Sequence, residues 1–150
     1  MRQKSPRLAV RAIIVEEGRL LMVNAWHEAK SPLMCAPGGG VEVNASLPAN
    51  LAREVYEETG LTVEVGAPCL VNEYHDPDSQ FHQVELFFRC IIVPGTARPD
   101  EWCDTENVVT LRRWLTAAEL AQVPHKPDSL AGVAFGRDGI SYDPLEPLMT

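Results

Sequence analysis

Four side chains between positions 53 and 58 are of the kind that works on charged substrates. Arg53, Glu54, Glu57 and Glu58 lie within REVYEE, and three glycines, Gly38, Gly39 and Gly40, precede them behind Pro37. Residues three and four apart share a helix face, so Glu54, Glu57 and Glu58 project together. They also fall just ahead of Gly60, in the last turns of a helix ending there, where the dipole disfavours negative charge. Arg53 can pair with Glu57 one turn on, but one arginine does not neutralise three carboxylates. A hard divalent ion such as Mg²⁺, held through carboxylate oxygens, relieves both penalties. The glycines bring backbone close to a ligand, and a phosphate chain is the ligand that suits such a metal. Plainer readings exist for each half: an E-x-x-E-E string is ordinarily a solvated face, and a glycine run ordinarily a flexible turn. The conjunction of the two, followed by Thr59-Gly60-Leu61, is what speaks for a site.

The elements that must position these residues can be read outward from them. Ser46 is a good N-cap, Pro48 is tolerated in the first turn, and Leu47, Leu51 and Val55 recur every four residues, with Ala52 and Thr59 alongside. Gly60 ends this helix. Upstream, Leu8 to Val15 and Arg19 to Val23 read as two strands turning at Gly18, Asn24 to Pro32 as a loop, and Leu33 to Ala36 as a short strand. Downstream, Leu61 to Val65, Cys69 to Tyr74 and Val84 to Val93 read as strands, with a turn at His75 to Gln80. Pro94 to Asp104 is loop-like, and Val108 to Leu115 is a further strand. Thr116 and Glu119 form a capping-box pattern for a short second helix. Residues 124–150, rich in proline and glycine, are expected as a tail packed irregularly or partly mobile. Strands outnumber isolated helices, which favours an α+β sheet with helices on its faces.

Composition narrows the functional classes. The 150 residues suffice for one domain with a substantial core, and 45% hydrophobic with 23% charged residues is ordinary for a globular protein. No run of about 18 apolar residues occurs, and the basic N-terminal start leads into an apolar run broken by Arg11, a strand and not a signal peptide. A cytoplasmic location is therefore expected, with no membrane partner. Cys35, Cys69, Cys90 and Cys103 form no C-x-x-C pair, so neither a zinc knuckle nor a redox motif is indicated, and three of them have strand-like apolar neighbours suited to reduced core thiols. The net charge of −8 opposes a nucleic-acid polymer but not a small phosphorylated ligand carrying metal.

The stretch from Gly39 to Leu61 resembles the Nudix box: Gly, five residues, Glu, seven residues, Arg-Glu, an aliphatic residue, any residue, Glu-Glu, any residue, Gly, an aliphatic residue. Arg53, Glu54, Val55, Glu57, Glu58, Gly60 and Leu61 all fall in place, and Ala45 stands where the pattern has its first Glu. Pro37-Gly38-Gly39 looks like the family's entry to the loop. Arg113-Trp114-Leu115 with Glu119-Leu120 resembles its late strand and following helix, so the likeness extends over most of Leu8 to Leu120. The resemblance implies a single Nudix hydrolase domain over residues 1–150, built as an α/β/α sandwich with a central mixed sheet and the box as loop-helix-loop. It implies hydrolysis of the diphosphate linkage in a small nucleoside diphosphate derivative, such as a nucleoside triphosphate or nucleotide sugar. Carried over, Gly38 (through its carbonyl), Glu54, Glu57 and Glu58 are metal ligands for Mg²⁺, with Mn²⁺ as the alternative. Glu54, Glu58 and Arg53 are the catalytic set, Arg53 orienting the glutamates. The base is Glu54 or a later loop acid, for which Glu101, Asp104 and Glu106 are candidates. Ala45 puts the strength of metal binding in question, and Glu42 is near enough in sequence to substitute. A homodimer is an assembly common among similar proteins. The competing reading is a non-catalytic Nudix-like module that binds a nucleotide or metabolite; retention of all the helical acids argues against it. A member acting on RNA is disfavoured by the missing basic stripe.

Other residues carry weaker cases. His75, Asp76, Asp78 and His82 could gather a second metal, but Asp-Pro-Asp-Ser is a good turn sequence. Trp26 or Tyr74 has the shape to stack on a base, though packing explains either; Phe81, Phe87 and Phe88 belong to a long strand, where packing suffices.

Overall fold

β1 (Arg7–Glu16) and β2 (Arg19–Asn24) form the expected hairpin, closed by Glu17 and Gly18, both at positive φ (51° and 73°), as a tight two-residue turn demands. The computed structural model describes residues 4–149; Arg2, in the basic N-terminal start, lies outside them, as does Thr150. β3 (Met34–Cys35) and β4 (Gly38–Gly40) follow, then α1 (Leu47–Thr59), β5 (Val63–Asp76) and β6 (Phe81–Ile92). β7 (Arg112–Leu115), α2 (Ala117–Leu120), α3 (Leu130–Phe135), β8 (Ser141–Tyr142) and β9 (Glu146–Pro147) complete the chain.

These strands build one mixed sheet in the order β3-β2-β1-β6-β5-β8, with β4 on β1, β7 on β2 and β9 on β5. β1 and β6 are parallel over Arg7 to Ile14, while β5 and β6 are antiparallel. Alternation along the central strands feeds two cores. Val10, Ala12, Ile14, Phe88 and Cys90 face Leu51 and Val55 of α1, whereas Ile13 and Phe87 face Leu120, Leu130 and Val133 of α2 and α3. The result is the α/β/α sandwich that the sequence led us to expect.

Three local expectations change. The two strands expected over Leu61 to Val65 and Cys69 to Tyr74 are one, β5, which begins at Val63 and runs on to Asp76, because a register shift on either side of Pro68 absorbs the residue that cannot donate to a ladder. The strand expected from Val108 starts only at Arg112. The preceding amides bond to side chains instead, those of Val108 and Val109 to the Asp104 carboxylate and those of Thr110 and Leu111 to Asn24 Oδ1. Residues 124–150 contain α3, whose Leu130 and Val133 are fully buried, and two short strands on the edge of β5.

Candidate active site

α1 starts where the sequence places it. Ser46 has extended φ/ψ (−66°, 161°) and its Oγ accepts from Ala49 N at 3.1 Å; Gly60 ends the helix at φ 74°, its N–H donating to Tyr56 O. The loop Pro94 to Asp104 folds over that end: Trp102 Nε1 donates to Glu57 O at 2.8 Å, and the Trp102 ring lies where a Gly60 side chain would begin. Arg112 donates to Thr59 O at 2.6 Å, so the carbonyls of Tyr56, Glu57 and Thr59 in the last turn are occupied.

The glycine run is a strand, not a flexible turn. Gly38, Gly39 and Gly40 pair with Arg11, Val10 and Ala9 of β1. Gly38 has φ 153°, and a Cβ there would sit 1.9 Å from Val10 O; a Cβ on Gly39 would sit 2.6 Å from a Glu54 carboxylate oxygen. The glycines are thus what lets α1 lay its acids directly on backbone.

Glu58 Oε1 accepts from Gly38 N at 3.0 Å, which fixes the carboxylate at the entry of the loop. Burial pushes Glu58 up to about 8, assisted by the charges of Glu54 and Asp104 and opposed by Arg11 and the Gly38 amide. Burial also raises Glu54, with Arg53 opposing and Glu57 and Glu106 adding to the rise. Arg53 spans the set: Nη1 lies 3.2 Å from Glu54 Oε1 and 3.3 Å from Glu57 Oε2, Nη2 donates to Asn50 Oδ1 at 3.1 Å, and Glu42 stands 3.8 Å away. The one-turn Arg53–Glu57 pair is therefore present.

Ala45 is exposed in the turn before α1. Glu42, the candidate to substitute for the missing acid, reaches the site through its pairing with Arg53. Among the loop acids, Asp104 is committed to three backbone amides, those of Glu106, Val108 and Val109. Glu101 and Glu106 are exposed, and of the two it is Glu106 whose charge acts on Glu54. The possible second cluster dissolves: Asp76 caps the hairpin by accepting from Asp78 N and Ser79 Oγ, and His82 Nε2 is 2.9 Å from Glu73 Oε1.

Among the described residues no three His, Cys, Asp or Glu side chains are gathered into a group that could hold a metal as they stand. Glu57 and Glu54 are turned onto Arg53, and Glu58 onto the Gly38 amide. The donor set nevertheless suits a hard divalent ion: the ligand atoms are all oxygen, and burial and mutual repulsion leave Glu54 and Glu58 short of positive charge. The Gly38 carbonyl, a further donor, accepts from Arg11 at 3.3 Å and retains a second lone pair.

Two supports were missed in the sequence. Asn50, 1% exposed, accepts from Glu42 N and donates to Ala45 O and Ser46 O, which holds the turn against the helix. Arg11 is largely buried in β1, bonded to Glu85 at 2.7 Å and to Ala36 O and Gly38 O. The signal for Arg11 was the charge that interrupts an otherwise apolar strand.

A family model, NUDIX domain, matches residues 5–133. An ADP-ribose pyrophosphatase of Methanocaldococcus jannaschii is 27% identical over 71% of this chain and 66% of its own. A MutT-like protein of Streptomyces ambofaciens is 33% identical over 73% of this chain and 63% of its own. The chain spans between 44% and 66% of the length of three curated relatives it matches. Among solved structures, a NUDIX hydrolase from Nitrosomonas europaea superposes with a TM-score of 0.71 at 20% identity, covering 84% of each chain.

Proposed function

The chain belongs to the NUDIX domain family, and from that membership we propose that it is a metal-dependent pyrophosphohydrolase cleaving the diphosphate linkage of a small nucleoside diphosphate derivative. The observation that supports this best is the packing of α1 on the glycine strand, with Glu58 on the Gly38 amide and Glu54 over Gly39. Glu54, Glu57, Glu58 and the Gly38 carbonyl would hold Mg²⁺, or Mn²⁺ as the alternative. Such an ion, when bound, supplies charge neutralisation at the phosphates and a water of lowered pKa.

The chain's own residues do the rest. Arg53 keeps Glu54 and Glu57 oriented from one side, and Asn50 keeps Arg53 in place. Glu54 takes the proton of the attacking water, or Glu106 does so from the loop; Glu106 is the loop acid whose charge is felt at Glu54. Asp104 and Glu101 are less suited, the first because its carboxylate ties the loop together, the second because it is exposed and, unlike Glu106, is not among the charges that act on Glu54. Residues 1–150 are read as one such domain. The charge of −8 favours a small substrate over a polymer.

The test is a screen against nucleoside triphosphates, nucleotide sugars, dinucleoside polyphosphates and ADP-ribose with Mg²⁺ or Mn²⁺. Glu58→Gln should lower turnover by at least the order of a hundredfold, the upper range for losing even an outer partner of a metal. Unchanged activity in Glu58→Gln overturns the site. The rival binding module finds its support in carboxylates turned onto Arg53 instead of toward one point. Nucleotide binding without turnover of any compound would favour it.

A further inference from the structure

The last residues of the described chain run along β5 and meet Trp26. β9 pairs with β5, with Tyr74 opposite Glu146 and His75 opposite Pro147, and Leu148 N donates to His75 O at 2.8 Å. Two residues after β9, Met149 O accepts from Trp26 Nε1 at 3.2 Å, and Trp26 follows β2. In the sheet order β2-β1-β6-β5, this contact joins the segment after β2 to the segment on β5, with β1 and β6 between those two strands. An edge cover would need only the pairing with β5. Two further ties hold it: Lys126 Nζ with Glu146 at 3.5 Å, and Ser129 Oγ donating to Asp143 at 2.6 Å.

Under this bridge lies a cavity of about 470 Å³. Its polar lining includes Arg7, Arg11, Asn72, Gln83 and Glu85 of β1, β5 and β6, together with Ser79, Lys126 and Glu146. Trp26, Tyr74 and Phe81 line it as well, with Glu146 to Met149 as the part contributed by the bridge. The cavity adjoins the acidic site through two arginines. Arg11 also donates to Gly38 O, and Arg7 lies 2.4 Å from where a Gly40 Cβ would be. Asn72, 1% exposed, has a carbonyl oxygen without a partner among the described residues.

Resting on the hydrolase reading above, we propose that residues Glu146 to Met149 are a specificity strap: they close a cavity that takes the planar heterocycle of the substrate while its diphosphate lies at Gly38–Gly40. Aromatic and apolar walls with a few polar groups suit a flat ring. An N–H on that ring gives Asn72 the donor it lacks. The two arginines favour the phosphorylated end of the same molecule.

Backbone amide exchange of the full chain tests this, using Glu58→Gln so that nucleotide is not consumed, with Mg²⁺ present. ADP, GDP, CDP and UDP are compared with inorganic pyrophosphate and ribose 5-phosphate. At least one nucleotide should slow exchange across residues 141–149 several-fold, and neither ring-free probe should do so. Equal slowing by pyrophosphate or ribose 5-phosphate overturns the proposal, as does nucleotide binding by titration calorimetry that leaves the segment's exchange unchanged. Absence of binding by all four nucleotides also overturns it. Trp26→Phe keeps a ring and removes the bond to Met149. It should raise KM for a cleaved nucleotide about 3- to 10-fold with kcat held, and an equal fall in kcat would point to a structural role instead. Turnover by the wild-type chain in the substrate screen is read separately, so the strap and the hydrolase reading can fail independently.

Discussion

Replacing Arg11 by methionine should be among the most damaging single changes outside the acidic helix. The Arg11 and Glu85 side chains are 16% and 6% exposed and lie 2.7 Å apart, so solvent screens the pair little. Unit charges about 4 Å apart attract by roughly 4 kcal/mol at an effective dielectric near 20. Burial works against the Arg11 charge, yet Glu85 holds its pKa above the usual arginine value. Without Arg11, the Glu85 carboxylate keeps only neutral donors, Gln83 Nε2 at 3.0 Å and the more distant Tyr74 hydroxyl and Asn72 amide at 3.5 Å each. Breaking a buried pair from one side costs about 3–5 kcal/mol. For a chain of this length that corresponds to a fall in Tm of roughly 6–20 °C. The double variant Arg11→Met/Glu85→Met removes the stranded charge and should recover most of the loss. Urea unfolding followed by circular dichroism, at low and at moderate salt, measures both, and the difference should change little with salt. A single variant costing under about 1 kcal/mol, or a double variant no better than the single, would refute the claim that the pair is a buried charge balance.

Three shorter predictions concern the loop, the metal and the thiols. Gly38→Ala should leave little folded protein in a soluble-expression and thermal-melt comparison, since its Cβ would fall 1.9 Å from Val10 O at a φ of 153°. Ala45→Glu should lower the Mg²⁺ concentration giving half-maximal turnover; an unchanged metal titration would count against the idea that Ala45 weakens metal binding. Burial, with Cys69 adding to it, pushes Cys90 up to about 12 from the ordinary 9.0, partly offset by the Gly66 amide. The folded chain therefore keeps a proton that the unfolded chain releases, and stability falls as pH rises from 9.0 toward 12. Cys90→Ala should flatten that alkaline fall in urea titrations, and at neutral pH alkylation with iodoacetamide should favour the exposed Cys103 over buried Cys69 and Cys90.

What the sequence made legible was whatever depends on near neighbours. The cap at Ser46, the stop at Gly60, the apolar stripe of α1 and the capping box at Thr116 and Glu119 are local chemistry, and each stands where its residues place it. The box placed Arg53 against Glu57 for the same reason. What escaped was set by partners distant along the chain. Arg11 meets Glu85 only because β1 and β6 lie parallel, Arg112 finds Thr59 O because the loop after β6 returns to the helix end, and Asp104 replaces a strand ladder with its own carboxylate. The C-terminal residues show the contrast most clearly. Their prolines and glycines say only that no long regular element forms there, while an edge left open on β5 recruits them in two short pieces and Trp26 receives the end. The helix and glycine strand that bear the acids were thus readable as a unit of contiguous sequence. The cavity beside them draws walls from β1, β3, β5, β6, the segment after β2, Lys126 ahead of α3 and residues 146–149, and its recognition chemistry becomes visible only when topology brings these together.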